Sequence, residues 1–133
     1  MKIVIDASDG ILGRVASFAA KQSLLGKDVI VVNCAKTRIT GDNRMIINEY
    51  KTLVYRGGHS LNGPFHIKRS PQFLMKRTIR GMLSYKQGRG NAAFKRIMCY
   101  NDVPAAHAQE KMVKVAHTHQ GKHMSLSNLT KEL

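Results

Sequence analysis

Eleven of the 22 Lys and Arg residues fall between Glu49 and Asp102, a run of 52 residues with no acidic side chain. They are Lys51, Arg56, Lys68, Arg69, Lys76, Arg77, Arg80, Lys86, Arg89, Lys95 and Arg96. The chemistry open to such a set is charge neutralisation of a polyanion. Ordinary surfaces interleave the two signs, because opposite neighbours relieve repulsion. Outside this block the chain is nearly balanced, so +11 of its net +14 charge sits in one segment. Nucleic acid is the first partner this implies, and an anionic membrane the second.

Other constellations carry less. Gly10-Ile11-Leu12-Gly13-Arg14 follows an apolar segment and opens a helical pattern, as a phosphate-binding turn would. It lacks both the dinucleotide glycine spacing and the lysine of a P-loop, so a tight structural turn is expected. Asp6 and Asp9 lie in that turn, where they are expected to cap the helix rather than work as an acid–base pair. His117-Thr118-His119 and His123 give three imidazoles, but no carboxylate or thiol lies among them to complete a zinc set. Cys34 and Cys99 form no motif and are expected to be free core thiols in a reducing compartment. No serine elbow is present. Tyr55, Tyr85, Tyr100, Phe65, Phe73 and Phe94 are possible stacking platforms, though most are expected in the core. No metal, cofactor or small-molecule substrate is therefore expected.

The length of 133 residues suits one compact domain without disulfides, 43% hydrophobic residues suits a folded chain, and an order of strand, helix, strand, strand, helix supports a single α/β layered domain. No apolar run approaches the roughly 20 residues that span a bilayer. The start Met1–Asp6 reaches a carboxylate too early for a signal peptide. Lys2–Asp6 reads as a strand, and residues 11–25 as a helix with Ile11, Val15, Phe18 and Leu25 inward, Arg14, Ser17 and Lys21 outward, and Gly26 as its stop. Val29-Ile30-Val31-Val32 has no alternation, which predicts a strand buried on both faces of a parallel sheet. Residues 37–40 are a further short strand, and 43–55 a helix. Ser70-Pro71 predicts a helix with a hydroxyl cap, running to about Tyr85. Its apolar stripe is Met75, Ile79, Met82 and Leu83, and Lys76, Arg77 and Arg80 are expected on the solvent side. Gly88-Arg89-Gly90 reads as a loop, 91–96 as a helical turn, and 97–100 as a strand. Residues from about 104 to 133 read as a less certain C-terminal extension with little periodicity.

The block's charges fall on glycine-containing loops, one helix face and a proline neighbourhood, which suits an irregular RNA phosphate path better than a duplex groove. Three segments resemble the ribosomal protein L13 family of the large subunit, in its archaeal form. They are Ile5-Asp6-Ala7 through Ser17, Val32-Asn33 through Gly41, and Gly63-Pro64 through Ile97 with Arg77-Thr78-Ile79-Arg80-Gly81-Met82-Leu83 at its centre. Ser84 stands where that family often has proline.

The resemblance implies a three-layer α/β/α sandwich around a small, mostly parallel four-stranded sheet. It also implies a non-enzymatic constituent of the cytoplasmic large subunit that binds its rRNA, meets neighbouring ribosomal proteins and supports assembly. The candidate rRNA contacts are Arg56, His59, Lys68, Arg69, Lys76, Arg77, Arg80, Lys86, Arg89, Lys95 and Arg96. Two competing readings are an α/β enzyme acting on a nucleotide or nucleic acid at the Asp6–Gly13 turn, and a binder of anionic membranes.

If the turn is structural, ATP, GTP or NAD at millimolar concentration leaves the melting temperature unchanged. A nucleotide present at one hundred times its dissociation constant would add about 2.7 kcal/mol, a shift of several degrees. A saturable shift of that size in a thermal melt would restore the enzyme reading.

Overall fold

The computed structural model describes residues 1–55, 67–115 and 121–133. Strand β1, Lys2–Asp6, is followed by helix α1, Leu12–Leu24, and strand β2, Asp28–Val32. A short strand β3, Arg38–Thr40, and helix α2, Asn43–Val54, come next. Helix α3 is Pro71–Gly81, α4 is Gly88–Lys95, and β4 is Ile97–Cys99. The C-terminal part supplies β5, Met112–Lys114, β6, His123–Ser125, and helix α5, Leu126–Glu132. The class is α/β, as expected.

The main sheet has the order β4-β2-β1-β5, and each neighbouring pair is parallel. Register runs from Lys2 opposite Asp28 to Asp6 opposite Val32. Val29 to Val32 are all buried, as the run of β-branched residues predicts. Alternate residues serve different faces. Ile5, Val29 and Val31 join the main core with residues of all five helices, including Val15, Ile46, Ile79, Ala93 and Leu129. Val4, Ile30 and Val32 form a smaller cluster under Tyr100, Val103 and Met112, so that face is covered by the segment around the 3-10 turn Ala105–His107.

Several expectations need correction. The inward face of α1 is Leu12, Val15, Ala16, Ala19, Ala20 and Ser23, while Leu25 is 64% exposed. Leu25 lies beyond the last helical turn, where Gly26 at φ +95° turns the chain away. Neither Asp6 nor Asp9 caps α1. Ile11 is its N-cap residue and makes no side-chain cap bond. Asp9 sits at φ +58° and pairs with Arg38 at 3.1 Å. The strand at residues 38–40 is outside the main sheet and pairs antiparallel with β6. The C-terminal part is no appendage. β5 pairs with β1, and Met124, Leu126 and Leu129 are buried in the main core. Cys34 and Cys99 are free. Cys34 is fully buried, and a hydrogen bond with the Cys99 thiol, together with burial, holds its own thiol protonated well above the ordinary range.

At the C-terminal end of β1, Asp6 ties three chain segments. Its Oδ1 accepts from the Ser8 amide at 3.0 Å and from Asn33 Nδ2 at 2.9 Å. Asn33 follows β2 in the left-handed region, φ +60°, and leads into the 3-10 turn Cys34–Lys36. Burial raises the Asp6 pKa, but the bonds from Asn33 and Ser8 and the charge of Lys114 outweigh it, leaving the carboxyl below its ordinary 3.8.

A carboxyl lowered in the folded state adds stability that is complete above its unfolded pKa and is lost as pH falls through the folded value. Asp6→Ala should therefore destabilise the protein by about 1–3 kcal/mol at neutral pH, through two lost hydrogen bonds. The difference from wild type should narrow below about pH 4. Urea melts at pH 7 and pH 3 measure it, and an equal difference at both would remove Asp6 from this role.

Candidate nucleic-acid interface

The basic block is carried mainly by α3, α4 and the segments beside them. Pro71 sets the φ of the first turn of α3, and Leu74, Met75 and Ile79 bury its inner side. The Ser70 hydroxyl does not cap this helix. Asn101 does, because its Oδ1 accepts from the Gln72 amide at 2.9 Å while its Nδ2 donates to Ser70 Oγ at 3.1 Å. Asn101 is 29 residues beyond Gln72, so local sequence held no sign of it.

The helix ends at Gly81 rather than near Tyr85. The amides of Met82 and Leu83 reach back three residues, to the carbonyls of Ile79 and Arg80, which tightens and closes the last turn. Met82 consequently leaves the apolar stripe and is 44% exposed. Gly88-Arg89-Gly90 is not a loop but the first turn of α4. Gly90 is buried so close to the preceding segment that a Cβ there would lie 1.9 Å from the Ser84 carbonyl oxygen. This close approach sets α4 against the end of α3.

Four basic residues, Lys68, Lys76, Arg77 and Arg80, line one open groove of about 350 Å³ together with Ile67, Phe73 and Phe94. Lys76, Arg77 and Arg80 are half-buried, not fully solvated as expected. Their reach explains why. Lys76 Nζ lies 5.1 Å from the centroid of Phe94, and the Arg80 guanidinium 4.8 Å from that of Tyr85. Lys68 covers Phe73 at 4.5 Å, and Arg69 covers Tyr55 at 5.0 Å. These side chains thus set their charged ends over ring faces, where the ring quadrupole attracts a cation. Tyr55 is 62% exposed, and Phe73 and Tyr85 are each 37% exposed, so these three aromatics belong to the surface rather than the core.

The remaining candidates divide. Arg56 and His59 lie outside the described residues, as do Phe65, His117 and His119. Lys86, Arg89 and Lys95 are exposed, and Arg89 lines a separate recess beside Met82 and Gln87. Arg69 Nη1 donates to the Leu133 carbonyl at 2.9 Å. Arg96 is committed to the fold, since its Nη1 donates to the Ser23 carbonyl at 2.8 Å near the C-terminus of α1. Ser23 in turn donates its hydroxyl to the Ala93 carbonyl. His123 is exposed on β6, and no cluster of metal-ligating side chains occurs among the described residues.

The Asp6–Gly13 turn is occupied by its own bonds. Arg38 donates its amide to the Gly10 carbonyl at 2.8 Å, and Thr37 donates its hydroxyl to the Ala7 carbonyl at 3.2 Å. Gly10 is required there, because a Cβ would meet Val15 at 2.8 Å. Gly13 is different. It faces open space, so its lack of a side chain is not dictated by packing. Among the described residues no helix is long and apolar enough to cross a membrane.

The family model for ribosomal protein L13 matches residues 1–106. The chain is similar to the large ribosomal subunit protein uL13 of Archaeoglobus fulgidus, 45% identical over 76% of this chain and 64% of that protein. It is also similar to the proteins of the same name from Thermoplasma volcanium, 36% identical over 98% of this chain and 96% of that one, and Haloarcula marismortui, 45% identical over 74% and 66%. The chain thus spans just under two thirds of the Archaeoglobus and Haloarcula proteins and nearly all of the Thermoplasma one.

The two neighbouring cations Lys95 and Arg96 should separate in a stability assay. Arg96→Ala loses a charge-assisted hydrogen bond and should cost about 1–2 kcal/mol. Lys95→Ala, at an exposed position, should stay within about 0.5 kcal/mol of wild type. Equal effects in denaturant melts would refute the structural role of Arg96.

Proposed function

The chain belongs to the ribosomal protein L13 family, and from that premise we propose that it is a structural constituent of the cytoplasmic large ribosomal subunit. It binds large-subunit rRNA through the basic face of α3, α4 and the Lys68–Arg69 segment, beside neighbouring ribosomal proteins, and so supports subunit assembly. The family is structural rather than enzymatic. The observation that carries the RNA reading is the groove where Lys68, Lys76, Arg77 and Arg80 converge inside an acid-free stretch. Cations gathered in this way release counterions when phosphates approach, which makes affinity steeply dependent on salt. The satisfied hydrogen bonds of the Asp6–Gly13 turn weigh against the enzyme alternative.

Two measurements test this reading. Tagged chain should sediment with large subunits at moderate salt, and recovery in the soluble fraction alone would refute it. Purified chain should bind large-subunit rRNA with a slope of log affinity against log salt of about −4 to −5, for roughly six phosphate contacts. Replacing Lys76, Arg77 and Arg80 together by glutamine should flatten that slope by about 2 to 3. Glutamine is the better probe than alanine because it removes the charge that Lys76 and Arg80 set over Phe94 and Tyr85 while keeping part of the side chain that packs there. An unchanged slope in the folded variant would exclude these three residues from the contact.

A further inference from the structure

We propose that the groove between α3 and α4 receives one extruded, unpaired RNA nucleotide, its base stacked on the aromatic side of the groove and its phosphates held by Lys68, Lys76 and Arg80. This rests on the rRNA-binding reading and gives the site a ligand chemistry. A surface that only tracked phosphates would need cations alone. This groove sets Phe73 and Phe94 among them, so it suits a ligand that is anionic at one end and flat and apolar at the other. A nucleotide has that character, and a duplex does not present it, because its bases face one another. At about 350 Å³ the groove stands at the small end of ligand sites, which run roughly from 300 to 1,000 Å³. It holds one base rather than a strand.

The cation–ring pairs explain how the site stays soluble when empty. Lys68 lies over Phe73 and Lys76 over Phe94, so ammonium groups shield ring faces that would otherwise meet water. The Lys68–Phe73 contact, in which both residues are exposed, favours its own formation only about two- to fivefold. Stacking of a base on an aromatic residue is worth about 5- to 150-fold in affinity. At Phe73 the exchange therefore runs toward the base, and the displaced Lys68 ammonium is left beside the incoming phosphates. Arg80 adds a donor. Its Nε is buried and makes no hydrogen bond among the described residues. Buried donors are seldom left unpaired, and a phosphate or base oxygen would supply the missing acceptor.

The test uses the full chain and full-length large-subunit rRNA transcribed from the genome that encodes it. Phe73→Leu should weaken binding about 5- to 150-fold with the salt slope unchanged, because a stack is lost and no charge is. Phe73→Tyr, which keeps the ring, should bind within about threefold of wild type. Lys76→Gln should instead flatten the slope by about 1. A second probe does not depend on variants. An oligoadenylate 12-mer should bind wild-type protein more tightly than a 12-mer of the same backbone without bases. Wild-type affinity for Phe73→Leu overturns the stacking proposal, and so does equal affinity for the two oligonucleotides. Both leave the rRNA reading intact. If Phe73→Leu fails to fold, the oligonucleotide pair decides alone. Failure of the wild-type chain to bind the rRNA overturns both. Ring-dependent binding to anionic phospholipid vesicles with none to RNA overturns the choice of a nucleotide.

Discussion

The parallel pairing of β1 with β2 is the constraint on which the rest of the molecule depends. Its five-residue register places Val29 to Val32 where both faces are covered. Two adjacent parallel strands cannot be joined by a tight turn, so each connection must leave the sheet and return. The first does so through α1. The second runs from Val32 to Ile97, between the neighbouring strands β2 and β4, and it is long enough to carry β3, α2, α3 and α4. All eleven cations of the acid-free block lie within that one connection. The topology that builds the core therefore also gathers the excess charge into one excursion over the sheet.

That excursion has to be anchored at both ends, and polar contacts do it. After β2, Asn33 gives its side chain to Asp6 and turns left-handed into the segment whose amides bond back to Tyr100 and Asn101. Before β4, Arg96 donates to the end of α1. Asn101, just beyond β4, caps the start of α3. The two ends of the connection are thus held to the sheet and to each other. The described cations of α3 and α4 between them sit on a positioned scaffold, which suits recognition of a fixed shape more than a sliding, non-specific grip.

Much of this was legible in the sequence, and the exceptions have physical causes. The bounds of β1, α1, β2 and α2 follow from local apolar spacing nearly to the residue, although of Ile11, Val15, Phe18 and Leu25 only Val15 is fully buried. β5 leaves no local signal because it is a three-residue edge strand whose side chains are half-buried or exposed, and its partner β1 is more than a hundred residues away. α5 did leave a signal. Ser125 Oγ accepts from the Asn128 amide, and Leu126, Leu129 and Leu133 fall at i, i+3 and i+7. The start of α4 was hidden by its glycines, which read as a loop locally but serve a close approach to the Ser84 carbonyl. Among the candidate contacts, the cluster of Lys76, Arg77 and Arg80 follows from charge and helical spacing, whereas the convergence of Lys68 on it does not. Nor does the commitment of Arg96 to Ser23, 73 residues earlier.

The aromatic residues show how a basic face can be concentrated without self-repulsion dissolving it. Four cations of the block each lie over a ring, and the ring's negative face offsets part of the charge that acidic neighbours would otherwise balance. An acid in that place would form a salt bridge and weaken the field felt by an approaching phosphate. A ring stabilises the cation yet adds no net charge, so the long-range attraction for a polyanion survives. Exposed Tyr55, Phe73 and Tyr85 are therefore consistent with the absence of acid from residues 50–101. Both features preserve net positive charge on a folded surface. Ring and cation together can then meet the two chemically different halves of a nucleotide.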